Sequence, residues 1–382
     1  MEVFWQVGVV FVTALVVTVA MVPVSKKIAA KIGAVDYPSN RRINTQAIPR
    51  CGGIAIYLGF LAGLGAFWIG IHVFGWRIVD YYTLERINYP LLLLSVTGVF
   101  AVGLYDDVKQ LSARVKFAWQ ALGAVMVVVS GVSLDVISTS SGNVSLGVLD
   151  APLTVFYLLV FMNIINLIDG LDGLAAGIVA ISALAFMYLV CQRGSMTLTM
   201  VCLALVAVCI GFLFFNFHPA SVFMGDSGAL FLGLMLGIIS LLGVVRTQSL
   251  AVLMVPLTVA AVPVIDTSSA IVRRKLNHQA IGEPDLNHIH HRLLRSGLGQ
   301  RGTVLVLYVC TFLSSMVAIM VTMAPDGVRT VAVIVLIAIG IILICVFGFA
   351  GPVLQHYYEG KGKTGPRAPK DKKESQYHKK LK

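Results

Sequence analysis

Two carboxylic acids and two amides recur at steps of three in NIINLIDGLDGLAAG (163–177): Asn163, Asn166, Asp169 and Asp172. Residues three apart are neighbours on a helix face, so the four make a slowly turning polar stripe. Their surroundings are strongly apolar, and intramembrane carboxylates are costly and usually mark a site. Interhelical hydrogen bonding accounts for Asn in such a place but explains two acids poorly. Gly170 and Gly173 would loosen or end the helix there.

Three further polar groups interrupt apolar sequence. In GLYDDVKQLSARVKFAWQ (103–120), Asp106 and Asp107 are adjacent, with Lys109 and Lys116 following. Neighbours on a helix point about 100° apart, so the two acids cannot serve one point. One could meet a metal or phosphate while the other takes a proton or holds a lysine. The plainer alternative is an interfacial acidic pair balanced by the lysines. In FFNFHPASVFMGDSGALFLG (214–233), Asp226 is either the N-cap of a following helix or a ligand for a hard cation such as magnesium. Gly225 and Gly228 would let a backbone or ligand come close, and Asn216 and His218 lie nearby. In RRKLNHQAIGEPDLNHIHHRLLRSG, within 273–301, His288, His290, His291 and Arg292 form a dense patch. Zinc is the rival reading, yet no HExxH and no nearby cysteine supports it. Arg geometry suits phosphate, so an anionic oxygen is the expected partner.

Magnesium takes one or two carboxylates and leaves its other positions to water and substrate phosphate oxygens. Acids, amides, histidines and basic residues gathered on one surface therefore fit a magnesium ion and a diphosphate. No P-loop is present, so this is no standard P-loop nucleotide fold.

What must position these groups is a membrane bundle. Of 382 residues, 58% are hydrophobic and 12% charged, with mean hydropathy +0.88, against about a quarter charged in soluble domains. The pattern predicts an all-α polytopic membrane protein with about eleven spans, near 4–24, 52–74, 89–105, 115–133, 151–168, 174–191, 197–215, 228–245, 250–271, 303–323 and 329–350. Lys and Arg concentrate in alternate loops, after the first, third and ninth spans. By the positive-inside rule this puts the N-terminus outside and the C-terminus in the cytoplasm. All four polar groups then fall on the cytoplasmic side. MEVFWQV lacks the basic start of a cleavable signal, so the first span reads as an anchor. VISTSSGNVSLGVLD (136–150) reads as a short external β-hairpin turning at Gly142-Asn143. The six cysteines form no CxxC and read as small apolar fillers. One domain, 1–350, precedes a basic tail, 351–382, whose stretch from Gln355 holds nine Lys/Arg against three acids. That tail supplies much of the net charge of +11, so contact with anionic lipid or plain solvation explains the charge, and nucleic acid is not implied.

GLYDDVKQLSARVKF, NIINLIDGLDGLAAG, FNFHPASVFMGDSG and LNHIHHRLL, in that order, resemble the polyprenyl-phosphate N-acetylhexosamine-1-phosphate transferases over about residues 22 to 350. The HIHHRLL form resembles the bacterial branch that moves GlcNAc-1-phosphate from UDP-GlcNAc to undecaprenyl phosphate. That branch primes enterobacterial common antigen, O-antigen and wall teichoic acid. The phospho-MurNAc-pentapeptide translocase carries three consecutive histidines instead. The resemblance implies magnesium, with manganese as a substitute, held by Asp226 and Asn166. It implies a catalytic set of Asp106, Asp107 and Lys116 acting on phosphates. Asp169, Asp172 and the loop with His288, His290, His291 and Arg292 would contact the nucleotide-sugar, and Asn163 and Asn216 join them as expected substrate-binding residues. The implied partners are UDP-GlcNAc, undecaprenyl phosphate and membrane lipid, with a homodimer left open. The implied location is the bacterial plasma membrane, with the site facing the cytoplasm. Relatives often carry a histidine where this chain has Asn44. Another UDP-N-acetylhexosamine, or UDP-MurNAc-pentapeptide, remains an alternative donor. A cation-coupled transporter remains an alternative class, and it would hold its site near mid-bilayer.

Overall fold

The computed structural model describes residues 2–37, 47–77, 80, 87–134, 136–139, 142–245 and 299–325, with a few positions between 327 and 338. The span expected at 250–271, the histidine loop with His288, His290, His291 and Arg292, Asn44, most of 329–350 and the tail 351–382 lie outside the described residues.

Nine α-helices are described: α1 Glu2–Ile32, α2 Gly52–His72, α3 Tyr89–Lys109, α4 Ala113–Val129, α5 Asp150–Ile168, α6 Leu174–Gln192, α7 Met196–Asn216, α8 Gly225–Ser240 and α9 Gln300–Met323. A π-type turn, Leu241–Val245, extends α8. Among the described residues, eight helical segments are long and apolar enough to span a bilayer, α4 being the short exception at 17 residues. The protein is an all-α polytopic membrane protein, as the apolar runs predict.

The first helix outruns its apolar stretch. It continues through Lys26, Lys27 and Lys31 because lysine is a good helix former, and it stops at Gly33, which takes φ +76°. α3 begins under Asn88, whose side-chain oxygen accepts the Leu91 N–H at 3.1 Å. α1 and α2 pack through Gly59 and Gly63, a GxxxG pair, where an added Cβ would strike Ala14 and Thr18. Such small residues let helix backbones approach in lipid. α8 is the buried axis, packed against α3 and α5.

Hydrogen bonds sort the connections to two ends of the bundle. At one end Lys26 donates to Ser221 at 2.8 Å, Gly173 N–H to Asn216 at 3.0 Å, and Phe223 N–H to the Pro49 carbonyl at 2.8 Å. At the other, Asp80 accepts from Ser195 and from the Thr197 N–H, both at 3.1 Å, and Leu134 N–H donates to Thr154 at 3.0 Å. The helices therefore run alternately up and down through α8.

The hairpin forms, with β3 Val136–Thr139 antiparallel to β4 Gly142–Ser145, but its register pairs Thr139 with Gly142. Gly142 and Asn143 thus belong to a strand and not to the turn expected there. A second small sheet, β1 Val35–Asp36 with β2 Ile48–Pro49, carries no alternating pattern long enough to read from sequence.

Candidate active site

The first end of the bundle brings Asp106, Lys116, Asn166 and Asp226 into direct contact, from α3, α4, α5 and α8. Lys116 Nζ lies 2.7 Å from Asp226 Oδ2, 3.1 Å from Asp106 Oδ2 and 3.2 Å from Asn166 Oδ1. Asn166 Nδ2 donates to Asp226 Oδ1 at 2.6 Å. These four come from positions up to 120 residues apart, and one ammonium gathers them.

The adjacent acids diverge, as helix geometry requires. Asp106 accepts the Leu111 N–H at 2.5 Å and faces Lys116. Asp107 turns toward α8, where it accepts the Asp226 N–H at 2.7 Å, the Ser227 N–H at 3.1 Å and the Ser227 hydroxyl at 2.7 Å. Its side chain is 0% exposed. It caps α8 from a distance, where the helix dipole favours a negative charge. Gly225 makes this possible: it takes φ +74°, and a Cβ there would run into Asp107 and the Arg50 carbonyl.

The stripe of four splits as well. Asn166 joins the Lys116 cluster, whereas Asn163 donates to Gln120 and to the Leu159 carbonyl, both at 2.8 Å. One turn of helix carries it out of the cluster, and it serves as the interhelical bond that Asn commonly makes. Asp172 accepts from His218 Nδ1 at 2.7 Å and from the Ala220 N–H at 3.1 Å. Asn216, buried, accepts the Gly173 N–H at 3.0 Å and donates to the Val222 carbonyl at 2.9 Å. Asp172 and Asn216 thereby lock the 169–173 turn to the 217–222 loop.

Asp169 makes no hydrogen bond among the described residues. Burial, with Asp226 and Asp107 nearby, pushes its carboxyl well above the ordinary carboxylate range, and Arg50 opposes the rise. A carboxyl whose folded pKa is raised binds protons more tightly folded than unfolded, so stability falls as pH rises from about 4 through the folded value. Asp169→Asn is expected to remove that slope and to raise the melting temperature at neutral pH, as thermal scans of both proteins across pH would measure.

Comparison with known proteins adds the family. The model for glycosyl transferase family 4 matches residues 89–244, from α3 through the turn that ends α8. A Bacillus subtilis protein named probable undecaprenyl-phosphate N-acetylglucosaminyl 1-phosphate transferase is 40% identical over 336 residues, covering 87% of this chain and 89% of its own. The chain belongs to glycosyl transferase family 4. A decaprenyl-phosphate N-acetylglucosaminephosphotransferase of Mycobacterium tuberculosis H37Rv is 33% identical, with 80% of each chain covered. The undecaprenyl-phosphate alpha-N-acetylglucosaminyl 1-phosphate transferase of Escherichia coli K12 is 30% identical, over 76% of this chain and 77% of its own.

Within this family 4 chain, the contact set fits magnesium by its donors. Asp106, Asn166 and Asp226 offer oxygen atoms, and no group of three His, Cys, Asp or Glu suited to a metal occurs among the described residues. Two carboxylates with the remaining positions left to water and phosphate match magnesium and not zinc. Cys51, the nearest thiol, is pushed up to about 12 by burial and by Asp107, so it stays protonated.

Sequence reasoning missed several members of the site. Tyr308 of α9 donates to the Gly173 carbonyl at 2.5 Å, and its ring fills the place of a side chain at Gly177. Arg301 Nε donates to the His218 carbonyl at 3.0 Å. Arg50 stands beside Asp107. The glycines of GLDGLAAG were a usable signal, since a small residue on an apolar helix announces a close neighbour. Nothing local named that neighbour as Tyr308.

Proposed function

We propose that this chain transfers GlcNAc-1-phosphate from UDP-GlcNAc to undecaprenyl phosphate, giving undecaprenyl-diphosphate-GlcNAc and UMP. The observation that carries this reading is the Lys116 cluster at one end of a polytopic bundle, in a chain whose relatives bear that activity in their names. The site-bearing end also holds Lys26, Lys31, Lys109 and Arg114, so the positive-inside rule supports a cytoplasmic site in the plasma membrane with the N-terminus outside. About eleven spans in all remain part of the proposal.

A phosphate oxygen of the acceptor attacks the β-phosphorus of the donor. A new P–O bond forms there, the bond from the β-phosphorus to the bridging oxygen breaks, and UMP leaves with that oxygen. Lys116 orients the reacting phosphates from between Asp106, Asn166 and Asp226. Asp107 keeps Asp226 in place through the backbone of α8 and acts as a positioning residue. Asp226 and Asn166 would hold magnesium, which neutralises charge as the phosphate bond breaks. Charge balance supports a metal requirement: Asp106, Asp107 and Asp226 outnumber Lys116 and Arg50, so a diphosphate entering alone would be repelled. The acceptor's chain has a path as well. An apolar groove of about 180 Å³ between α3 and α4 is lined by Val99, Val102, Trp119 and Met126, and Asp106 and Lys116 lie three or four residues from Val102 and Trp119, on the same helix faces. A transporter would need polar groups near mid-bilayer, and this cluster sits at helix ends.

The test is UMP release by the purified chain with undecaprenyl phosphate and a panel of UDP-GlcNAc, UDP-GalNAc and UDP-MurNAc-pentapeptide. Magnesium-dependent release with UDP-GlcNAc is expected. Preference for another donor would reassign the sugar, and no release from any donor would overturn the reading.

A further inference from the structure

We infer that Arg50, beside Asp107, is a second phosphate-binding cation of the site in addition to Lys116; this rests on the transfer reading above for its substrates. Arg50 follows β2 and precedes α2, in a segment stitched to the entry of α8. Phe223 N–H donates to the Pro49 carbonyl at 2.8 Å, while Gly52 and Gly53 N–H donate to Phe223 and Met224 carbonyls at 2.9 Å. Its backbone is therefore fixed against the residues that lead into Asp226, and its own carbonyl would be struck by any Cβ at Gly225.

Its side chain is not committed in the same way. The guanidinium lies 3.8 Å from Asp107 Oδ1 and 3.9 Å from Asp36 Oδ1, both beyond hydrogen-bond range, and it is 24% exposed. It donates no hydrogen bond among the described residues. Arg carries five N–H donors in a planar fork that matches phosphate oxygens two at a time. Asp107 is a weak partner for it, because its carboxylate already accepts three hydrogen bonds from the first turn of α8. Asp169, whose side chain has no hydrogen bond among the described residues, also feels the Arg50 charge. A guanidinium on a fixed backbone, near two carboxylates yet hydrogen-bonded to neither, is prepared for an incoming anion. The anion has the chemistry of a phosphate, which the donor's diphosphate and the acceptor's phosphate both supply.

Two measurements on the full-length protein in detergent test this. In the first, inorganic diphosphate with magnesium is titrated calorimetrically into wild type, Arg50→Lys and Arg50→Gln. Binding should weaken about ten- to a hundredfold in Arg50→Gln and less in Arg50→Lys, which keeps the charge but loses the fork. In the second, steady-state UMP release separates the sources: a raised KM for UDP-GlcNAc assigns Arg50 to the diphosphate, and a raised KM for undecaprenyl phosphate assigns it to the acceptor. Wild-type diphosphate affinity in Arg50→Gln overturns the inference, as does loss of binding that tracks a lowered melting temperature. If wild type binds diphosphate through Arg50 yet releases no UMP, the transfer reading fails and the phosphate site stands.

Discussion

Asp226→Ala is expected to abolish UMP release while leaving the bundle folded. Among the described residues Asp226 is the one carboxylate that touches both Lys116, at 2.7 Å, and Asn166, at 2.6 Å, so its removal takes away the shared acceptor of the cluster and the first proposed metal ligand. Removing a group that stabilises charge as it develops costs on the order of a hundred- to a thousandfold, and losing a metal ligand as well pushes the effect beyond that. Stability should suffer far less. The bond that seats α8 uses the backbone N–H of residue 226, which alanine retains, and Lys116 keeps Asp106 at 3.1 Å. Asp226→Asn makes the same point with the shape preserved: it should be as inactive as alanine and should melt close to wild type. The measurement is UMP release at saturating magnesium, beside a thermal scan in detergent. Substantial turnover by either variant would remove Asp226 from the chemistry.

Much of this arrangement is legible in the sequence because membrane spans obey simple rules. Long apolar runs place α2, α5, α6, α7 and α9 within a few residues of where they form, since lipid forces each backbone polar group to pair inside its own helix. Alternating Lys and Arg content puts the four polar motifs at one end, and contacts across that end unite Asp106, Lys116, Asn166 and Asp226. Periodicity stops short of side-chain partners. Asn163 and Asn166 are equivalent by spacing, yet one meets Gln120 and the other Asp226, because the identity of the facing helix decides. Asp172 and Asn216 have the chemistry of substrate contacts, and their spacing gives no hint that Asp172 Oδ2 meets His218 or that Asn216 meets Gly173 and Val222. Arg50 looks like one more topology-setting cation until the backbone of 222–224 is found alongside it. Helix ends fail for a different reason: α1 continues past its apolar run because lysine costs a helix little.

The same partition separates Asp107 from its neighbour, and it predicts a different kind of failure. Asp107→Ala should lower both stability and activity. Its two oxygens accept three hydrogen bonds from the start of α8, and α8 is the most enclosed helix of the bundle. Bonds to a charged acceptor contribute about 1.5–3 kcal/mol each in favourable cases and are not additive. Alanine would leave two N–H groups and a hydroxyl unpaired in a site with no exposure, so a loss of several degrees in melting temperature is the expected scale for about 2–4 kcal/mol. Asp107→Asn should recover little. Oδ1 serves Asp226 N–H while Oδ2 serves both groups of Ser227, so either orientation of the amide aims an NH2 at a donor. Ser227→Ala deletes one bond of the three and should cost about 1 kcal/mol. Activity should fall in all three in the order of the stability loss, because Asp226 moves with the first turn of α8. An Asp107→Asn protein that melts like wild type but releases no UMP would show that Asp107 acts on the phosphates directly, and the positioning role would be wrong.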